Sequence, residues 1–200
     1  YFSNEPQGTW RPLPLAKGKP VMIIGNGGSV ATHVQAIECL VRKAKPFVIG
    51  LNTHSQLDES LLSLRVCCHP MRIAADVEKY ASITTPLVMP ATMAGHPNIA
   101  EKNDHISDLG IKVEEGNYGL GENYLITPNY NVMSYALMLA VAMGGSQIWV
   151  VGFDGFDSGD PRQVEMQTTI ETFKTKFSDI ELVALTKTSH SINQSSLYAQ

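Results

Sequence analysis

The residues of this chain that could do chemistry fall into short polar clusters, each directly after an apolar run. Val21-Met22-Ile23-Ile24 leads into Gly25-Asn26-Gly27-Gly28-Ser29, and the run Pro46 to Leu51 ends in Asn52-Thr53-His54. Leu64 to Cys68 ends in His69, Pro86 to Met89 precedes Ala91 to His96, Gln147 to Phe153 ends in Asp154-Gly155-Phe156-Asp157, and Glu181 to Leu185 is followed by Thr186 to His190. Such a set of amides, hydroxyls, imidazoles and carboxylates suits a ligand with a phosphate, a ribose and a base. The glycine cluster is the most specific. Three glycines in four positions allow a tight turn and let N–H groups approach a ligand with no Cβ in the way. Ser29 is expected to cap a helix running to about Lys43. A strand, a glycine turn and a helix N-terminus together favour an anion, so a phosphate is expected on the Gly27, Gly28 and Ser29 amides. Asp154, flanked by Gly152 and Gly155, is expected to shape or contact the ligand site. His69 and His190 are the imidazoles available as a general base near neutral pH.

Two familiar uses of a glycine turn are excluded. A dinucleotide fingerprint needs a third glycine where Val30 stands and an acid at the end of the second strand, which here ends in Asn52. A Walker loop needs a lysine at the helix start, and there is none. Cys67, Cys68 and His69 are consecutive, so on a strand they point to alternate faces and make a poor zinc set. Asp154, Asp157 and Asp160 match no calcium or magnesium loop. No metal and no cofactor are therefore expected; the expected ligand is a nucleotide or nucleotide-sugar.

The elements that must position these clusters are β–α units. At 200 residues, 44% hydrophobic and 17% charged, the chain has the composition of a globular domain with a substantial core. A net charge of -4 and the lack of any basic run argue against nucleic acid as a partner. The longest apolar segment, Ala136 to Met143, is far short of a membrane span. Three cysteines, two of them adjacent, point to a reducing compartment and so to the cytoplasm. Residues 1–19 are rich in proline and glycine and read as a linker or surface arm, and a start at Tyr1 suggests a piece of a longer protein. Residues 20–200 read as a single Rossmann-like nucleotide-binding domain. Helices are expected at 30–43, 57–62, 71–80, 98–109, 131–144 and 161–176, with a short edge strand at 111–114 and a long functional loop at 116–130. Alternating units with continuous apolar strands imply an α/β fold: a doubly wound, mostly parallel sheet with helices on both faces. In such sheets ligands bind beyond the carboxyl ends of the strands, where strand order reverses.

A nearly all-apolar helix ending in glycine, then Trp149-Val150-Val151-Gly152-Phe153-Asp154, resembles the bacterial lipooligosaccharide sialyltransferases, the flagellin-modifying glycosyltransferases and the archaeal 6-hydroxymethylpterin pyrophosphokinases. Their Gly-x-Gly-Pro-Ser is similar to Gly25-Asn26-Gly27-Gly28-Ser29, and the asparagine closing their second strand looks like Asn52. Val151 to Met166, with Leu185-Thr186-Lys187-Thr188 and Ser196-Leu197-Tyr198, resembles more closely a domain fused behind an aldolase barrel of hydroxymethylglutaryl-CoA lyase type in surface-polysaccharide gene clusters. The resemblance implies a nucleotide-sugar binding domain of surface-glycan biosynthesis, with a cytidine-type nucleotide held by the glycine turn, Asn52, and the positions of Asn131, Gly152 and Phe156. It implies metal-independent transfer if the domain is active. It also implies three further partners or roles: an N-terminal aldolase domain for which this one is a non-catalytic module, a homo-oligomeric state, or a pterin-type diphosphokinase activity. Phe156 stands where a phosphate-binding tyrosine is usual, and Asn131-Val132-Met133 replaces Thr-Ser-Gly.

Overall fold

The computed structural model describes residues 6–53 and 56–200; His54, expected on the ligand rim, lies outside the described residues. The chain opens with β1 (Pro20–Ile24), α1 (Gly28–Ala44), β2 (Phe47–Leu51), a 3₁₀ turn (Glu59–Leu61) and β3 (Leu64–Val66). It continues through α2 (Pro70–Ala75), α3 (Val77–Ser82), β4 (Leu87–Met89), α4 (Pro97–Lys102), β5 (Ile106–Asp108), β6 (Gly110–Val113), β7 (Gly119–Leu120) and β8 (Tyr124–Thr127). It closes with α5 (Val132–Ala142), β9 (Gln147–Val151), α6 (Pro161–Lys176), β10 (Glu181–Ala184) and β11 (Asn193–Gln194).

Eight strands form one sheet in the order β11-β10-β9-β1-β2-β3-β4-β5, and every pairing in it is parallel. Alternation along the central strand assigns the two faces. Val21 and Ile23 of β1 pack with α5 and α6, while Met22 and Ile24 pack with Ile37, Leu40 and Val41 of α1. Farther along, Val66 and Val88 join the α5 side; Cys67, Leu87 and Met89 turn the other way, toward Ile73 of α2 and Tyr80 of α3. Apolar residues on both faces of every central strand are what force helices onto both sides. The fold is thus doubly wound α/β and Rossmann-like. Helix α5 is buried all round from Met133 to Ala140, and the Asn131 side chain caps it by accepting from the Met133 N–H at 2.9 Å. Among the described residues no helix is long and apolar enough to cross a membrane.

Several elements differ from the sequence expectation. The helix expected at 98–109 stops at Lys102, and Ile106–Asp108 instead pairs with β4 as β5, with buried Asp108 accepting from Thr92 Oγ1 at 2.5 Å. The loop expected at 116–130 contains β7 and β8, which with β6 form a separate three-stranded sheet. Its anchor is Tyr118, buried edge-on against Phe173 of α6, a contact no local pattern announces. The amphipathic stretch 71–80 breaks at Asp76 into α2 and α3. Strand β11 had no expected counterpart. The 6–19 segment lies on the domain: Thr9 and Trp10 N–H groups donate to the Asp108 carbonyl at 2.9 Å, and Ala16 is fully buried.

The turn after β9 generates a first prediction. Gly152 has φ +73°, and a Cβ there would lie 2.4 Å from Val30 Cγ2. Gly18 has the same φ of +73° but open space around it. Gly18→Ala is expected to cost about 1 kcal/mol, the backbone strain alone. Gly152→Ala adds overpacking and is expected to cost about 2 kcal/mol more. Urea unfolding of both variants checks the difference; equal losses would show that Val30 gives way freely.

Candidate functional site

From β1 the chain winds outward through β2, β3, β4 and β5, while β9, β10 and β11 build the other half, so strand order reverses between β1 and β9. The candidate site lies beyond the carboxyl ends of these two strands. The two turns there are bonded directly: Gly25 N–H donates to the Val151 carbonyl and Gly27 N–H to the Gly152 carbonyl, both at 2.9 Å. Gly152 N–H in turn donates to Thr186 Oγ1 at 3.0 Å.

Asp154 completes the junction. Its Oδ2 accepts from the Ser29 N–H at 2.8 Å, and its Oδ1 accepts from the Ser29 hydroxyl. The carboxylate therefore sits on the first turn of α1, where the unpaired amides and the helix dipole stabilise negative charge. Helix α1 begins two residues earlier than expected: its N-cap is Gly27, with no side-chain cap, and Ser29 lies inside the first turn holding Asp154. Two of the three amides expected to carry a phosphate, those of Gly27 and Ser29, are thus already bonded within the chain. A Cβ on Gly27 would lie 2.7 Å from Asp154 Cγ, so its glycine identity serves the Asp154 contact.

Two adjoining cavities open at this edge. The smaller, about 470 Å³, is lined by Gly25, Asn26, Gly27, Gly152, Asp154 and His190 among others. The larger, about 1010 Å³, includes His69, Met71, Asn129 and Tyr130. Asn52, Arg72, Asn131, Val132, Phe156 and Arg162 line both, so the two form one crevice. Both volumes fall in the range of small-molecule sites. Gly28, Ser29 and Thr53 line neither cavity, and neither does the 91–96 segment. The two histidines are not brought together: His69 is exposed in the larger cavity and His190 is buried in the smaller.

Asn52 is held in the left-handed region, φ 56°, by a buried polar device. Arg65 of β3, 2% exposed, donates from Nη1 to the Asn52 carbonyl at 2.9 Å and pairs with Glu59 through Nε at 2.8 Å and through Nη2. Thr85 Oγ1 donates to the same carboxylate at 2.5 Å. The Arg65 bonds hold the Glu59 carboxyl below its usual range. At the opposite wall, the Arg162 guanidinium lies 4.6 Å over the Phe156 ring, whose other neighbour is the His190 ring, edge-on at 6.4 Å. Gln163 Nε2 lies 3.3 Å from His190 Nδ1 and donates to it when the neutral ring carries its proton on Nε2.

Cys67 and Cys68 are buried on opposite sides of the sheet, Cys67 accepting from the Tyr80 hydroxyl at 2.8 Å, while His69 is exposed. Burial pushes the Cys67 thiol up to about 11, which suits a structural cysteine. Among the described residues no group of three or more His, Cys, Asp or Glu could hold a metal ion. The site residues that sequence reasoning missed are Arg72 and Arg162. Each lies in the first turn of a helix that opens with proline at the rim, Pro70-Met71-Arg72 and Pro161-Arg162, and that placement was the available signal.

No family model matches this sequence, and no curated protein matches it. A solved structure does: the MAf glycosyltransferase from Magnetospirillum magneticum AMB-1, with a TM-score of 0.65 and 10% sequence identity. This chain shares its fold with a glycosyltransferase. The match covers 100% of this chain and 37% of the other, so the chain corresponds to about a third of that protein's length. At that identity the likeness concerns the backbone architecture alone.

Two predictions follow from this geometry. Asp154→Asn and Ser29→Ala each remove a charge-assisted bond at the α1 terminus and are expected to cost about 1.5–3 kcal/mol. Their double variant is expected to lose less than the sum, with a coupling of about 0.5–3 kcal/mol in a urea-unfolding cycle; strict additivity would show that the pair does not interact. The second concerns pH. Burial lowers the folded pKa of His190 from an ordinary value of 6.5. Between the two values the unfolded chain binds a proton that the folded chain does not, so stability is full above about pH 6.5 and falls as pH drops through it. His190→Gln is expected to flatten that acid-side slope below about pH 6.5, and an unchanged slope would assign it to other groups.

Proposed function

We propose that this domain binds a nucleotide or nucleotide-sugar in the crevice between the β1 and β9 turns and serves in glycosyl transfer for a surface glycan. The observation that carries the reading is the position of the crevice. It lies at the carboxyl edge of a doubly wound sheet, where strand order reverses. The fold shared with a glycosyltransferase supports it. The smaller cavity offers amide, carbonyl and carboxamide groups from Asn26, Asn52 and Asn131 for a base and ribose, with Phe156 as an apolar wall. The larger cavity would take the sugar and its acceptor, with His69 as the base within it. A pyrimidine nucleotide of cytidine type is the first ligand to try.

Metal-independent binding is part of the reading. A pterin-type diphosphokinase would need Mg²⁺ on carboxylates, and of the available acids Asp154 is engaged by Ser29 and Asp160 by Arg162. Titration of CMP, UMP, GMP and AMP, with melting temperature as the readout, tests the proposal. At 100 times its dissociation constant a bound nucleotide is expected to add about 2.7 kcal/mol of stability, in EDTA as in Mg²⁺. Asn26→Ala, on an exposed residue of the glycine turn, is expected to weaken binding by about 1 kcal/mol. No shift with any of the four would overturn the reading, and strict Mg²⁺ dependence would favour the diphosphokinase.

A further inference from the structure

We propose that Arg72 and Arg162 form a phosphate clamp at the junction of the two cavities, in the role expected of the glycine turn. The inference rests on the nucleotide reading and names the part of the site that takes the ligand's charge. The α1 terminus is filled by an anion of the chain itself, because Asp154 holds both the N–H and the hydroxyl of Ser29, and the Gly27 amide is bonded to the Gly152 carbonyl. A phosphate brought to that turn would meet a carboxylate. Its charge must be met elsewhere.

Arg72 and Arg162 line both cavities, and they reach the junction from helices on opposite faces of the sheet. Arg162 is pre-set. Its guanidinium is stacked on Phe156 and bonded to Asp160 through Nε and Nη2, which orients this exposed side chain and leaves Nη1 outside that pair. A guanidinium fixed before binding loses little rotamer freedom when it meets a phosphate. The acids nearby grade the field. Asp160 lines neither cavity, Asp154 is committed to α1, and Asp76, in the larger cavity, is paired with Lys79 Nζ at 2.7 Å. Glu165 lines only the larger cavity. Two guanidinium groups therefore meet at the junction, Arg162 with one edge held by Asp160, while the Glu165 carboxylate lies outward in the larger cavity. That polarity suits a phosphoryl group at the junction with the hydroxyl-bearing portion of the ligand in the larger cavity.

Inorganic pyrophosphate is the probe. Calorimetric titration into the parent chain, Arg72→Gln and Arg162→Gln is compared with titration of cytidine, which has no phosphate, and of glucuronate, which offers a carboxylate instead. Pyrophosphate is expected to bind the parent, and each variant is expected to weaken it about tenfold or more, with cytidine affinity unchanged. Absence of pyrophosphate binding, or equal affinity in all three proteins, overturns the clamp. Glucuronate bound more tightly than pyrophosphate and lost in the same variants overturns the phosphate assignment. CMP titrated in the same series separates the two readings. CMP bound equally by all three proteins overturns the clamp and leaves the nucleotide reading, whereas pyrophosphate bound and CMP not bound upholds the clamp and overturns that reading.

Discussion

The contact between the Asp154 carboxylate and the first turn of α1 is the constraint from which the functional edge of this sheet is built. Strands β1 and β9 are neighbours in space but more than a hundred residues apart in sequence, and their turns must meet at the one point where the sheet changes winding direction. Backbone bonds from Gly25 to Val151 and from Gly27 to Gly152 bring them to van der Waals distance. The carboxylate then supplies the charge that a helix N-terminus attracts. Glycine at 27 and 152 is required by that approach, since a side chain at either would collide with the facing turn. Within the chain, the glycine motif is bonded to Asp154 through Ser29 and to the Gly152 carbonyl through Gly27.

On the other side of the crevice a second polar device does comparable positioning. Arg65 is buried on a parallel strand, where an unpaired charge would be costly, and it is tolerated because Glu59 neutralises it and the Asn52 carbonyl takes its remaining edge. Removal of Glu59 would strand the Arg65 guanidinium in a low-dielectric setting, whereas Glu59, which is exposed, would keep its solvent. The arrangement fixes a left-handed residue at the rim of both cavities, a conformation that asparagine adopts more readily than most residues. The crevice thus has two walls stiffened by buried ion or dipole contacts and a third formed by the apolar N-terminal turn of α5. Such stiffening favours a pre-formed site.

The parallel sheet supplies the crevice, and side chains decide what enters it. A shared fold with a glycosyltransferase is compatible with many chemistries, because loops beyond the strand ends carry function while the strands carry stability. Here those loops present two arginines, a buried histidine, an exposed histidine and several asparagines around connected cavities. The mixture is polar on its rim and apolar at Val132, Phe156 and Met166, the composition of a small-molecule site.

The sequence by itself determined the fold class and the strands of its centre. Val21–Ile24, Phe47–Leu51 and Gln147–Val151 are apolar on both faces, and only burial between two helical layers satisfies that pattern. Helix α6 was equally legible, since Pro161 opens it; the structure adds the Asp160 cap. The rim positions of Asn26, Asn52, His69, Asp154 and His190 could be read as strand ends, but not which of them share a cavity, because that depends on strand order. The tertiary structure alone decided the rest. β5, β7, β8 and β11 are short strands whose stability comes from partners distant in sequence, so local pattern carries little of their signal. Above all, only the folded chain shows that the anion at the α1 terminus is Asp154, 125 residues away along the chain. An amide's hydrogen-bonding potential is legible in a sequence, but its partner is fixed by the three-dimensional approach of another segment.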